Sequence, residues 1–277
     1  MENRFHHSPE ETSRMTTQQL REIFLVENLM QPGIINLVYS HYDRVIAGAV
    51  VPLQKEITLA NEPELKANYF LERREMGIIN IGGKGNVIAE NKDFELNRLD
   101  CLYLGKGTQH VNFKSKDENN PAQFYLLSAP AHHVYESKRV TKKEIVPLHL
   151  GEMETCNKRK LYKYIHNDGI QSCQLVMGIT VLENGSVWNS VPPHTHTRRM
   201  EVYFFYFDVD AAHRVVHFMG EPQETRHLVV ANHEAVISPP WSVHFGAGIS
   251  NYGFIWGMAG ENKEFTDMDG LAINQIK

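Results

Sequence analysis

The chain has 277 residues, 42% hydrophobic and 22% charged, with 28 basic against 33 acidic side chains and a formal net charge of −5. That length exceeds the usual reach of one hydrophobic core, so two domains or one doubled domain are expected. Neither sign of charge gathers into a long block, which argues against nucleic acid as a partner; no segment approaches the roughly 20 apolar residues of a membrane helix, so no membrane partner is expected either.

Residues 1–27 read as an N-terminal arm. It has no apolar run of signal-peptide length, so a cytoplasmic location is expected. Cys101, Cys156 and Cys173 are odd in number, widely spaced and free of C-x-x-C pairing, and they read as reduced structural thiols. The arm carries the clearest helix, Thr17 to Leu25, with Thr16 or Thr17 as its cap and Leu20, Phe24 and Leu25 on one face.

Beyond the arm the chain reads as strands: runs of Val, Ile, Phe and Tyr cut by Gly, Pro, Asn and Asp. In order, the clearest are Arg44–Pro52, Met76–Ile81, Gln123–Leu127, Leu175–Leu182, Val202–Phe207 and Phe254–Met258. Three of these neighbourhoods recur. AGAVVPL matches VMGITVL, LERREMGIINI around Arg73 and Arg74 matches HTRRMEVYFFY around Arg198 and Arg199, and LGKGTQHVNF near His110 matches SPPWSVHFGAG around His244. Three matches in one order point to an internal duplication. The expected lobes are 28–140 and 160–277, with 141–159 as a linker rich in Lys, Arg and Glu. Each lobe has enough strands to close a barrel or jelly roll.

The second lobe contains His194, His196 and Glu201 in the spacing H-x-H-x4-E, followed far downstream by His244 after Pro239-Pro240. Residues two apart on a strand share a face, so His194 and His196 present both imidazoles to one point. Glu201 lies an odd number of positions after His196, so a turn must intervene within Thr197–Met200. Three imidazoles and a carboxylate suit Zn²⁺, with Fe²⁺, Mn²⁺ and Ni²⁺ open, whereas Ca²⁺ would find too few oxygens. His6, His7, His132, His133, His166 and His213 have no companion ligand at useful spacing and read as structural or solvent-exposed. In the first lobe the ungapped alignment puts Tyr69, Leu71 and Met76 opposite His194, His196 and Glu201. His110 alone keeps a histidine, so that lobe is expected to hold no metal; Glu72 or Glu75 could enter only through a gap.

The two motifs resemble those of the cupin superfamily. The longer text FLVENL, YSHYDRVIAG, YFLERREMGIINIGGKG, HTHTRRMEVYFF, MGEPQETRH and FIWGMAGEN resembles the 4-deoxy-L-threo-5-hexosulose-uronate ketol-isomerase family from about Leu25 to nearly the C-terminus. This resemblance implies an all-β bicupin fold, one zinc at His194, His196, Glu201 and His244, a homohexamer, and isomerisation of a small uronate in pectin breakdown.

Residue roles around the metal are less constrained. A substrate carboxylate invites a guanidinium: Arg199 and Arg226 are candidates, although the recurrence of an Arg pair at Arg73 and Arg74 favours a structural role for at least one of Arg198 and Arg199. Trp256 is a candidate substrate wall; with Trp241 and Met258 it reads equally as barrel core. Glu201 is a candidate base if it leaves the metal, with Glu221, Gln223, Glu224 and Tyr164 as weaker ones. Three other readings stay open at this point: a cupin dioxygenase, a 5-deoxyglucuronate isomerase and a non-enzymatic sugar-binding cupin.

Overall fold

A computed structural model describes residues 1–208 and 212–277. Strands dominate and are arranged as two similar pairs of sheets. The first large sheet runs in the order Glu2–Arg4, Ile35–Ser40, Ile46–Val50, Phe124–Pro130, Arg74–Asn80, Cys101–Leu104, Lys138–Val140. Its small partner runs Ile57–Thr58, Val111–Ser115, Gly85–Ala89, Lys92–Leu96. The second large sheet repeats that order with Leu148–Leu150, Arg159–Ile165, Val176–Leu182, Gly253–Gly260, Arg199–Tyr206, Ala235–Ser238 and Leu25–Val26. The matching small sheet is Trp188–Asn189, Phe245–Gly248, Val215–Glu221, Glu224–Val230.

The central strands of the two large sheets have no alternating pattern because both of their faces are covered. In Arg74–Asn80 and Arg199–Tyr206 every residue is buried. One face looks into its own barrel: Met76, Ile78, Phe124 and Leu126 pack there with Val87 and Phe113 from the first small sheet. The other face packs against the second lobe, where Ile79, Tyr125 and Leu127 share one core with Met177, Phe204 and Ile255. Tyr125 stacks on Phe204 with ring centroids 4.6 Å apart. The approach is close enough that a Cβ on Gly77 would meet Met177 Sδ at 2.5 Å. Each fully buried aliphatic or aromatic side chain contributes about 1.5–3 kcal/mol, so the shared core ties the lobes together.

The terminal arm and the basic stretch supply edges as well as connections. Glu2–Arg4 pairs in parallel with Ile35–Ser40 on the first large sheet, while Leu25–Val26 pairs with Ala235–Ser238 on the second. Between them the helix Thr17–Phe24 starts at a Thr16 cap, whose side chain accepts from Gln19 N, and buries Leu20 and Phe24. A shorter helix, Pro9–Ser13, capped by Ser8, has too few residues for an apolar period and was not legible in the sequence. Leu148–Leu150, inside the stretch expected as linker, adds a strand beside Arg159–Ile165. All three cysteines are free, but Cys156 is exposed and so is not part of a core. Among the described residues no helix is long and apolar enough to cross a membrane.

Candidate metal centre

His194 and Thr195 form a two-residue strand paired with Asp269–Gly270 of the C-terminal segment. The chain then turns, with Arg199 N donating to His196 O at 3.1 Å, and the long strand begins at Arg199. That turn is the break that the odd spacing of His196 and Glu201 requires. Glu201 sits opposite Ser238 and Met258 in the large sheet. His244 follows a turn in which Ser242 N donates to Pro239 O at 3.0 Å, and Gly220 N donates to Ser242 Oγ at 2.9 Å, which fixes the loop.

These elements bring one ligand atom from each of His194, His196, Glu201 and His244 within 4.8 Å of one another. Their hydrogen bonds test whether a cation fits. His196 Nδ1 lies 2.9 Å from Arg199 O, and His244 Nδ1 lies 3.2 Å from Ser242 O. A carbonyl only accepts, so each ring carries its proton on Nδ1 and presents a bare Nε2 lone pair inward. Those lone pairs face the Glu201 carboxylate, His196 Nε2 at 3.0 Å and His244 Nε2 at 3.2 Å from Oε2, while His244 Nε2 and His194 Nε2 stand 2.9 Å apart. Acceptors converging without enough protons between them are satisfied by a cation, and the backbone carbonyls act as the outer partners that orient metal-bound imidazoles. Burial, then the neighbouring imidazole and arginines, depresses the His194 pKa to about 3, and burial likewise pushes His244 far down. Both rings are therefore neutral at pH 7, the form that binds metal.

His194, His196 and Glu201 open onto a cavity of about 200 Å³, with His244 fully buried behind them. Glu201 and Tyr203 project into it from one strand, and Phe254, Trp256 and Met258 from the next, each set spaced by two. Leu161 and Thr180 add two further strands, Ser190 and Pro192 one rim, and Phe265 and Met268 of the C-terminal segment the other. Tyr203 was not among the residues expected from sequence; its spacing of two from Glu201 was the available signal. Burial raises the Tyr203 pKa, keeping the phenol protonated, and its oxygen lies 3.2 Å from Ser190 Oγ.

Several expected residues stand elsewhere. Arg226 is not at the cavity: its guanidinium donates to the carbonyls of Thr12, Ser13 and Met15, satisfying the end of the first helix. Tyr164 donates to Leu99 O across the lobe interface at 2.7 Å, and Gln223 donates to Gln275 O on the outer hairpin that also carries Glu221 and Glu224. None of these four can act as base in the cavity. Trp241 is half-buried against the core outside the cavity. Arg198 pairs with Asp267 at 2.6 Å and Asp269 at 2.9 Å. Arg199 lines the cavity but is fully buried, donating to the carbonyls of Glu264 and Asp267 at 2.7 and 3.1 Å. Together the two arginines strap residues 264–269 over the metal donors.

The first lobe shows why its barrel presents no matching donor set among the described residues. Ser128 faces Met76 as Met258 faces Glu201, so Met76 occupies the Glu201 position, and Ile78 the Tyr203 position. Its barrel is filled with apolar side chains, and His110 is exposed. Glu75 points the other way. Its buried carboxylate accepts from the backbone N–H groups of Cys173, Gln174 and Leu175 at 2.7–2.8 Å and from Tyr103 Oη at 2.7 Å. Glu72 accepts from Asn68 at the surface.

Residues 24–273 match the KduI/IolB family. The chain belongs to this family. Two relatives named 4-deoxy-L-threo-5-hexosulose-uronate ketol-isomerase, from Halalkalibacterium halodurans and Shouchella clausii, are 53% and 52% identical to it over 277 residues, covering all of both chains. Among solved structures, an IolB-like protein from Salmonella typhimurium LT2 superposes with a TM-score of 0.74 at 16% identity, covering 90% of this chain and 96% of its own. The vicilin of Solanum melongena (TM-score 0.62, 10% identity, 93% and 88% covered) and an oxalate decarboxylase of Lactobacillus farciminis (0.58, 11%, 87% and 84%) share the fold. This KduI/IolB family member therefore has the all-β bicupin fold that its motifs imply.

His217, behind the site, carries a prediction for stability. Its ring is fully buried between Tyr203 and Phe205, with centroids 5.5 and 5.9 Å away and neither nitrogen hydrogen-bonded, and burial depresses its pKa to about 3. The unfolded chain protonates this group below about 6.5, whereas the folded chain does not until about pH 3. Stability is thus complete above 6.5 and falls with pH through this window, at up to about 1.4 kcal/mol per unit. Denaturant titrations at pH 7 and pH 5 are expected to show wild type losing about 2 kcal/mol more than His217→Leu; equal losses would refute this assignment.

Proposed function

We propose that the chain is a metal-dependent ketol-isomerase that interconverts 5-dehydro-4-deoxy-D-glucuronate and 3-deoxy-D-glycero-2,5-hexodiulosonate, in the cytoplasmic breakdown of pectin-derived uronates. The observation that carries the reading is full-length identity of about half to relatives of that name, joined to a complete donor set at the floor of a sugar-sized cavity. His194, His196, Glu201 and His244 would hold the ion. Zn²⁺ suits three imidazoles and a carboxylate, and Fe²⁺, Mn²⁺ and Ni²⁺ accept the same set. When bound, the cation supplies Lewis-acid stabilisation of the negative charge that develops on the substrate's carbonyl and adjacent hydroxyl oxygens.

The chain's own groups perform the proton transfer. The aldose loses the proton on C2, and the electron pair of that C–H bond becomes the C1–C2 double bond while the carbonyl π pair moves onto O1. In the resulting enediolate the O2 proton passes to O1, so that a proton returned to C1 leaves the ketone at C2 and a hydroxyl at C1. No redox partner is consumed. Glu201 is the sole carboxylate lining the cavity among the described residues, and we assign it as the group that takes and returns this proton, through Oε1, the oxygen not shared by His196 and His244. Tyr203 Oη and Ser190 Oγ offer hydroxyls to the reacting oxygens. Trp256, Phe254 and Phe265 exclude water.

Purified protein should carry one equivalent of metal, convert the 4-deoxy-5-keto uronate in preference to 5-deoxyglucuronate, and take up no oxygen while doing so. Preference for 5-deoxyglucuronate would move the substrate assignment, and oxygen uptake would replace the isomerase by a dioxygenase. The family resemblance also carries a homohexameric assembly into this reading, which light scattering tests.

A further inference from the structure

The basic run Lys158-Arg159-Lys160 divides by strand geometry. Lys158 and Lys160 project outward, with ammonium groups 3.6 and 3.8 Å from the Glu183 carboxylate. Arg159, between them, points with Leu161 into the metal cavity. Its one hydrogen bond runs from Nη1 to Asn157 O at 2.8 Å, and no carboxylate among the described residues lies within ion-pair distance of it. Burial lowers its basicity, and the groups beside it are the neutral phenols of Tyr203 and Tyr252 rather than any acid. A half-buried cation without a counter-ion is costly unless an anion arrives to join it.

The duplication separates this arginine from the others. Arg74 begins its strand opposite Pro130 just as Arg199 begins opposite Gly260, so Arg199 has an equivalent in the lobe without donors. Thr180 pairs with Phe254 and Leu161, as Val50 pairs with Phe124 and Ile35. Counting two residues back from Ile35, as Arg159 stands two before Leu161, reaches Gly33, which lies before the strand begins. At this position a cation thus stands only in the lobe that has the His-Glu cluster. Arg198, Arg199 and Arg226 are already committed to Asp267 and Asp269 or to backbone carbonyls.

From this we infer that Arg159 recognises the substrate's carboxylate, so that the site selects sugar acids over neutral sugars and holds the far end of the six-carbon chain, with its carbonyl and neighbouring hydroxyl, against the His-Glu cluster. The inference rests on the isomerase reading for the identity of the sugar acid. A guanidinium offers two parallel donors to a carboxylate, which fixes orientation as well as charge.

The experiment compares the uronate with its carboxamide, by turnover and by calorimetric binding, in metal-loaded wild type, Arg159→Gln and Arg159→Lys. Wild type should favour the carboxylate by roughly 100-fold in kcat/KM. Arg159→Gln should bring the two compounds within about threefold, mainly through KM and with metal content unchanged, and Arg159→Lys should fall between. Equal loss on both compounds in Arg159→Gln, or an undiminished preference, overturns the assignment. The two readings fail separately. Binding that depends on Arg159 without turnover removes the isomerase and keeps the clamp; turnover indifferent to the carboxylate removes the clamp and keeps the isomerase; binding of neither compound removes both.

Discussion

His196→Ala protein is expected to purify with less than a tenth of the wild-type metal and to isomerise the uronate at least about 10³-fold more slowly. Both effects have one origin. His196 is almost completely buried, its Nδ1 held by Arg199 O and its Nε2 set against Glu201 Oε2. Removing the ring deletes one of four donors and leaves the carboxylate with one imidazole fewer to share a cation. Wild-type protein stripped with a chelator should lose activity to a similar degree and regain it when Zn²⁺ is returned, whereas His196→Ala should not. Metal analysis and initial rates on the same samples check this; a stripped wild type with full activity would sink the Lewis-acid role. The stripped protein should stay folded, because the two lobes share a core that does not include the donors.

Glu75→Ala should be the most damaging substitution in the first lobe, at a cost of about 4 kcal/mol and roughly 10 °C in Tm. The carboxylate is fully buried and accepts three backbone N–H groups from Cys173 to Leu175, together with the Tyr103 hydroxyl. Those amides open the strand that carries Thr180, so the clasp joins the lobes at an element that also builds the cavity wall. Truncation leaves four donors buried without an acceptor. Glu75→Gln retains an acceptor oxygen and should cost about half as much. Thermal unfolding followed by circular dichroism measures both, and a shift of under 2 °C for Glu75→Ala would refute the clasp.

The metal donors were legible in the sequence because their chemistry is local: two histidines at strand spacing, a glutamate across a turn, and a histidine after a proline turn. The strands were legible in kind, though their ends moved. The expected Val202–Phe207 begins at Arg199, since a strand covered on both faces tolerates an inward arginine when carbonyls receive it. Glu75 illustrates the opposite case. Its neighbours along the chain suggest a stray ligand, yet the three amides that donate to it lie 98 to 100 residues away.

By itself the sequence determined the all-β fold class, and it singled out the His-Glu cluster that could hold a metal. Tertiary structure decided the arginines. Arg226 meets carbonyls more than 200 residues away, Arg198 two aspartates about 70 residues downstream, and Arg159 no acid among the described residues. The physical reason is the nature of the groups. Strand spacing and ligand type constrain where a metal donor can point, whereas a long guanidinium on a flexible stem takes its role from whichever acceptors the fold carries to it.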